Sequence, residues 1–360
     1  MPTFGASGKP RPAMDLCILC KGDFDMAAHL SEKENLLRVL NGQAAEYVPS
    51  GRTLMRGTVM NSALPHPTGK LMEDGKIRNI LGVEFVTEAA AGGGPIPKPG
   101  EFMLDDIRKW RDVIKRPALL DEIDWEMMAK KDLEKRDPEG ILLIEGGVTM
   151  GYFQALMSFM GFNEGLVACI EEPEEVKELM QFLLEINLET GKKYLEYYKP
   201  EMFHGLDDIA HERAPFVSEE VFLDIFEPVW RAEVAQFKEA GLLALHHNCG
   251  YFEPFVPFIV DMGYDAWGAQ ESNDVVGIIK RFGGRLTVSA GVSSNGFCSW
   301  PETTEEQVRA EVRRVLDLYA PVGSYCFSGG VLGAVGDESA RERNGWIQDE
   351  YEKNKYNYYK

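Results

Sequence analysis

His247 and Cys249 are the residues whose types and spacing first suggest chemistry, at the end of the apolar run Leu242-Leu-Ala-Leu-His-His-Asn-Cys-Gly250. Side chains two apart on an extended strand leave the same face, so the imidazole and the thiol point the same way. Zinc accepts both donors, and a catalytic zinc takes three protein ligands with a fourth position open. The best candidate for the missing donor is Cys326 in Gly323-Ser-Tyr-Cys-Phe-Ser-Gly-Gly330, with Cys298 as a competing thiol. A His or Cys on a strand is more often a packed core residue, so spacing alone leaves both readings open. His246 points to the opposite face and reads as structural, and Cys169 reads as helical core. The pair Cys17 and Cys20 stands without a second pair nearby, which favours ordinary buried thiols over a metal or redox pair.

Other chemistry-bearing residues sit at or near the ends of expected strands: Glu145, His204, Asp207, Asp208, Gln270, Glu271 and Ser293. Asp207 and Asp208 are candidates for protonating or positioning a substrate, and Glu271 or Gln270 for a fourth, displaceable metal ligand. Each carboxylate has an equal alternative as a hydrogen-bonded strand end. The segment Thr149 to Phe162 is dense in Met and aromatic residues. Met150, Tyr152 and Phe153, with Trp267 and Trp300, suit an adaptable apolar substrate wall, although core packing explains the same residues.

The elements that must position these groups alternate strand with helix. Strands are expected at Tyr47–Gly51, Leu81–Val86, Gly140–Gly147, Met202–Ile209, Leu242–Cys249, Asp265–Glu271, Arg285–Val292 and around Cys326, with helices between most of them. A capping box is expected at Thr303-Thr-Glu-Glu306, and Pro228 should break or restart the helix around it. Such alternation at 20 to 40 residues per unit predicts parallel strands with right-handed crossovers. The fold class is therefore α/β, a single (β/α)8 TIM barrel over residues 32–360 with an N-terminal extension over 1–31. Barrel strand ends share one mouth, which gathers the candidates. A length of 360 residues with 44% hydrophobic content suffices for one barrel. The net charge of −20 without a basic stripe argues against nucleic-acid and anionic-membrane partners. Strand-length apolar runs and an N-terminus without a signal pattern read as a cytoplasmic protein, with its oligomeric state open.

Glu34 to Pro49, Gly205-Leu-Asp-Asp208, His247-Asn-Cys-Gly250 and the Cys326 strand together resemble the uroporphyrinogen decarboxylase superfamily, over residues 32 to about 345. More closely, they resemble its zinc-dependent corrinoid methyltransferase branch. That resemblance implies zinc held by His247, Cys249 and Cys326, the last 77 positions after Cys249. It also implies a barrel, and methyl transfer between a small substrate and the cobalt of a corrinoid. No Asp-x-His-x-x-Gly corrinoid motif occurs, so the corrinoid is expected on a separate protein. The favoured reaction is O-demethylation of a methoxylated aromatic. Transfer from methylcobalamin to a thiol is the alternative. Further alternatives are porphyrinogen decarboxylation, for which only Arg52 and Arg56 could imitate the arginine-rich motif, and a non-catalytic zinc scaffold.

Overall fold

The computed structural model describes residues 30–359 except 60, 61, 63, 65, 88–93, 146, 150, 334 and 335. The expected extension, with Cys17 and Cys20, lies almost wholly outside the described residues, as does Met150.

One sheet of six parallel strands carries the fold. Four short antiparallel strands precede it: β1 (Lys70–Leu71), β2 (Ile77–Arg78), β3 (Glu84–Thr87) and β4 (Pro95–Pro97). The parallel strands are β5 (Leu143–Glu145), β6 (Met202–Leu206), β9 (Leu243–His247), β10 (Ala266–Gly268), β11 (Thr287–Val292) and β12 (Tyr325–Gly329). Between β6 and β9 lies a hairpin of β7 (Ala210–His211) and β8 (Ala214–Pro215). The spatial order is β12-β11-β10-β9-β6-β5. Six parallel strands thus stand where eight barrel strands were expected, among the described residues. The segment expected as a strand at Tyr47–Gly51 makes an isolated parallel bridge, Ser50 to Phe327. Further along, the N–H of Ile141 donates to the Thr53 carbonyl and that of Val59 to the Leu143 carbonyl. Residues 49–59 therefore hydrogen-bond to both edge strands, β12 and β5.

Alternation along the strands sorts side chains onto two faces. Leu143, Met202, Leu245, Ala266 and Cys326 form one buried cluster with Leu36 and Leu40. Those two leucines come from helix Glu32–Leu40, whose start is fixed by a reciprocal capping box of Ser31 and Glu34. On the other face Ile144, Phe203, Ala244, Trp267, Val288 and Tyr325 join the core shared with the long helices. Those helices include Tyr152–Met160, Pro173–Lys193, Glu227–Glu239 and Glu305–Tyr319. Pro228 does mark a restart: a π-helical turn over Phe222–Phe226 passes into helix Glu227–Glu239. The capping box expected at Thr303 falls one residue later, on Thr304 with Gln307. Thr303 instead donates its hydroxyl to the Phe297 carbonyl. Among the described residues no single helix is long and apolar enough to cross a membrane.

Candidate metal centre

The site lies beyond the C-terminal ends of β6 and β9. Because Leu206 pairs with His247, Asp208 and Cys249, each two residues further on, come out side by side. The N–H of Cys249 donates to Asp208 Oδ1 at 2.6 Å, and Gln154 Nε2 donates to the other Asp208 oxygen at 3.2 Å. Donor atoms of Asp208, His247 and Cys249 all lie within 4.8 Å of one another.

Backbone and amide contacts hold the two strand-end donors. His247 Nδ1 meets the Gly268 carbonyl at 3.1 Å, which leaves Nε2 facing the thiol. Gly268 is required there, since a Cβ would fall 2.8 Å from His247 Nδ1. Burial holds the imidazole below its ordinary pKa, in the neutral form that ligates metals. Gly250 has φ +83° and donates its N–H to Gln270 Oε1. Asn273 donates to the Gly250 and Gln270 carbonyls and accepts from the N–H groups of Phe252 and Glu253. Burial, with the Asp208 charge behind it, pushes the Cys249 thiol up to about 12. A thiolate at neutral pH therefore needs a cation beside it.

The donors fit zinc. Cys249 Sγ and His247 Nε2 are 3.8 Å apart, against about 3.5 Å for the sulfur–nitrogen edge of a tetrahedral zinc site. Thiolate, imidazole and carboxylate are all ordinary zinc donors, and three of them leave a fourth position open.

Cys326 is not in this group. It stands in the register row His247–Gly268–Ser289–Cys326, three strands from His247. Its thiol, 1% exposed, meets Ser289, and burial pushes it up to about 11. Asp208 completes the close donor group, and Cys326, the third donor expected, is not among the atoms within 4.8 Å of one another.

Asp207 turns the other way. Its carboxylate accepts the N–H groups of Tyr152, Phe153 and Gln154 and the indole N–H of Trp230. It thus caps the N-terminus of helix Tyr152–Met160, where N–H groups and the macrodipole favour an anion. Burial nonetheless lifts its carboxyl to about 7, with these donors opposing the rise. The oxygens of Asp207, a candidate for protonating or positioning a substrate, are thus engaged by backbone and indole N–H groups.

Two clefts flank the donors. An apolar cleft of about 470 Å³ runs from Asp208 between helix Tyr152–Met160 and the strands β3 and β4, with Phe85, Phe102, Phe153 and Phe159 among its walls. A polar cleft of about 560 Å³ extends from His247 over the ends of β10, β11 and β12, lined by Gln270, Glu271, Ser293, Asn295 and Ser328. Phe153 lines the apolar cleft, and Gln270 and Glu271 line the polar one without joining the donor group. Trp267 does not line either cleft. It pairs with His246 on the helix-covered face, fully buried, and donates its indole N–H to Asn248. Trp300 is 53% exposed and lines neither cleft. Tyr152 is buried, with its hydroxyl accepting from Asn187 and bonded to Glu233. Glu145 lies 3.7 Å from His204, and that proximity holds its carboxyl below the usual range. Glu233 had no signal in the sequence, because an acidic residue in an amphipathic helix reads as solvent-facing. It is buried, and burial lifts it to about 7.

A parallel α/β sheet with a metal-competent trio at its strand ends defines the class. The family model for uroporphyrinogen decarboxylase (URO-D) matches residues 80–331, and the chain belongs to that family. A methyltransferase from Methanosarcina mazei has a similar fold, with a TM-score of 0.61 at 14% identity, over 90% of this chain and all (100%) of that one. A family 2 AP endonuclease from Brucella melitensis is more distant, with a TM-score of 0.37 at 13% identity over 61% of this chain and 81% of its own. No curated protein matches the chain.

Proposed function

We propose that this protein is a zinc-dependent methyltransferase that moves a methyl group from a methoxylated aromatic to the cobalt of a corrinoid carried by a separate protein. The observation that carries the reading is the convergence of Asp208, His247 and Cys249 donor atoms within 4.8 Å beside an aromatic-walled cleft. His247, Cys249 and Asp208 would hold the metal. When bound, zinc supplies Lewis acidity toward an ether oxygen, which eases departure of the methyl group. The chain's own residues do the rest. Gly268 fixes the imidazole, Gln154 and the Cys249 N–H orient Asp208, and the phenyl walls bind an aromatic ring and keep water from it. The polar cleft offers the hydrogen-bonding groups of Gln270, Ser293, Asn295 and Ser328, beside the carboxylates of Glu212 and Glu271, to the amide-fringed face of a corrinoid. We further read the six strands as part of a (β/α)8 barrel, with residues 49–59 spanning the gap between β12 and β5. The backbone bonds of that segment to both edges support this closure.

Porphyrinogen decarboxylation is disfavoured on charge. A substrate bearing several carboxylates needs cations, and no Lys or Arg is among the described residues lining either cleft. Arg56 is taken up by Glu32 and Asp137. The test is methyl transfer to cobalt(I) cobalamin or a corrinoid protein from a panel of methoxyarenes, methanol, methylamines and methylated thiols. Zinc-dependent transfer from methoxyarenes is expected. Transfer that persists after zinc is removed, or occurs only with thiols, overturns the reading.

A further inference from the structure

Behind the apolar cleft lies a second, smaller chamber of about 130 Å³. The two share Pro67 and Thr149 as walls, so they adjoin at those residues. Glu145, Asp207 and Glu233 all line it, and no Lys or Arg does among the described residues. Asp207 is satisfied by the helix N-terminus, but Glu233 has only the neutral partners Tyr152 and Asn187.

The chamber also holds buried polar atoms without a partner. Both ring nitrogens of His204, both of His246 and the hydroxyl of Thr149 make no hydrogen bond, although these residues are 7%, 1% and 6% exposed. Buried polar groups are rarely left so, and their clustering at one cavity points to something that fills it. His246, held neutral by burial, offers one acceptor nitrogen, and Thr149 and Glu233 offer oxygens. The side chains of Tyr152, Trp230 and Tyr264 complete the wall. Acceptors, a carboxyl group without a cationic partner and aromatic rings suit an ammonium group, which donates hydrogen bonds and is drawn to aromatic rings. They repel a carboxylate or a phosphate. Gly205 keeps the wall open, since a Cβ there would fall 2.5 Å from the Tyr264 hydroxyl.

We infer that this chamber is a head-group site for a small ammonium cation, so that the substrate is an aromatic amine-bearing molecule with its ring in the apolar cleft and its amine against Glu233. The inference deepens the reading of the cleft as the substrate site, and its test does not depend on methyl transfer.

The experiment is calorimetric titration of the zinc-loaded protein with benzylammonium, benzyl alcohol and benzoate, which share one ring and differ in charge. Benzylammonium is expected to bind at least tenfold more tightly than benzyl alcohol, with benzoate not binding. Glu233→Gln, nearly isosteric, should bring the ammonium and the alcohol within threefold of each other. Thr149→Val should weaken the ammonium at least threefold, and it decides the matter if the Glu233 variant does not fold. Equal affinities in the native protein, as a chamber filled only by water would give, overturn the inference. So does an unchanged preference in the variants or no binding of any of the three. A protein that prefers benzylammonium yet transfers no methyl group from a methoxylated benzylamine keeps this inference and loses the methyltransferase reading.

Discussion

Replacing Asp208 with Asn should strip the centre of zinc, whereas replacing Cys326 with Ala should leave zinc bound. Asp208 has both oxygens at the site, one held by the Cys249 N–H and the other by Gln154, so the asparagine keeps the shape and loses the charge and a donor oxygen. Even residues that only support metal ligands cost about 10- to 100-fold in affinity when replaced, and a ligand should cost at least the upper figure. Metal at 100 times its dissociation constant stabilises the folded chain by about 2.7 kcal/mol, and a 100-fold loss of affinity reduces that to about 0.4 kcal/mol. With an unfolding entropy of about 2.1 cal/mol/K per residue, or roughly 0.7 kcal/mol/K for a chain of this length, the native zinc-induced rise in Tm is about 4 °C. In D208N it should fall below about 1 °C. Cys326 is 1% exposed among leucines, and its truncation leaves a small cavity costing about 1 kcal/mol, or roughly 1–2 °C, in the presence or absence of zinc. Melting curves of chelator-treated protein with and without added zinc, together with metal analysis of the purified variants, measure both effects. A C326A protein that loses zinc, beside a D208N protein that keeps it, would refute the ligand assignment.

The Cys249 thiol, pushed up to about 12 by burial, is protonated at neutral pH without a metal, so zinc binding must release its proton. Zinc affinity should rise about tenfold per pH unit from 6 to 8, and C249A should abolish both the binding and that slope, as read by competition with a chromophoric chelator. Gly268→Ala places a methyl against His247 Nδ1 and should weaken zinc at least tenfold in the same titration. Glu233 is raised to about 7 in the folded protein, above its ordinary 4.5. Its contribution to stability is fully present below pH 4.5 and is lost as pH rises to 7, by about 3 kcal/mol at most. E233Q should flatten the fall in stability between pH 5 and 7.5 in urea titrations, and an unchanged slope would contradict that burial.

His247 and Cys249 were legible because strand alternation is local: an apolar run followed by His-x-Cys puts both donors on one face, whatever surrounds them. The restart at Pro228 was legible for the same reason, while the capping box slipped by one residue because Thr303 and Thr304 are chemically equivalent in sequence. The third member of the donor trio was not legible. Which of Asp207 and Asp208 faces the centre depends on the register of β6 against β9 and on a helix N-terminus that claims Asp207. The distance of Cys326 depends on three strand-to-strand steps, and Trp267 turned away from the clefts because its register partner is His246. Glu233 likewise looked solvent-facing until packing buried it. The amino-acid order by itself determined the alternation of strands and helices and one pair of donors, because both follow from neighbours along the chain. The tertiary structure alone decided which carboxylate joins them and which walls surround them, because those depend on register between segments about 40 residues or more apart.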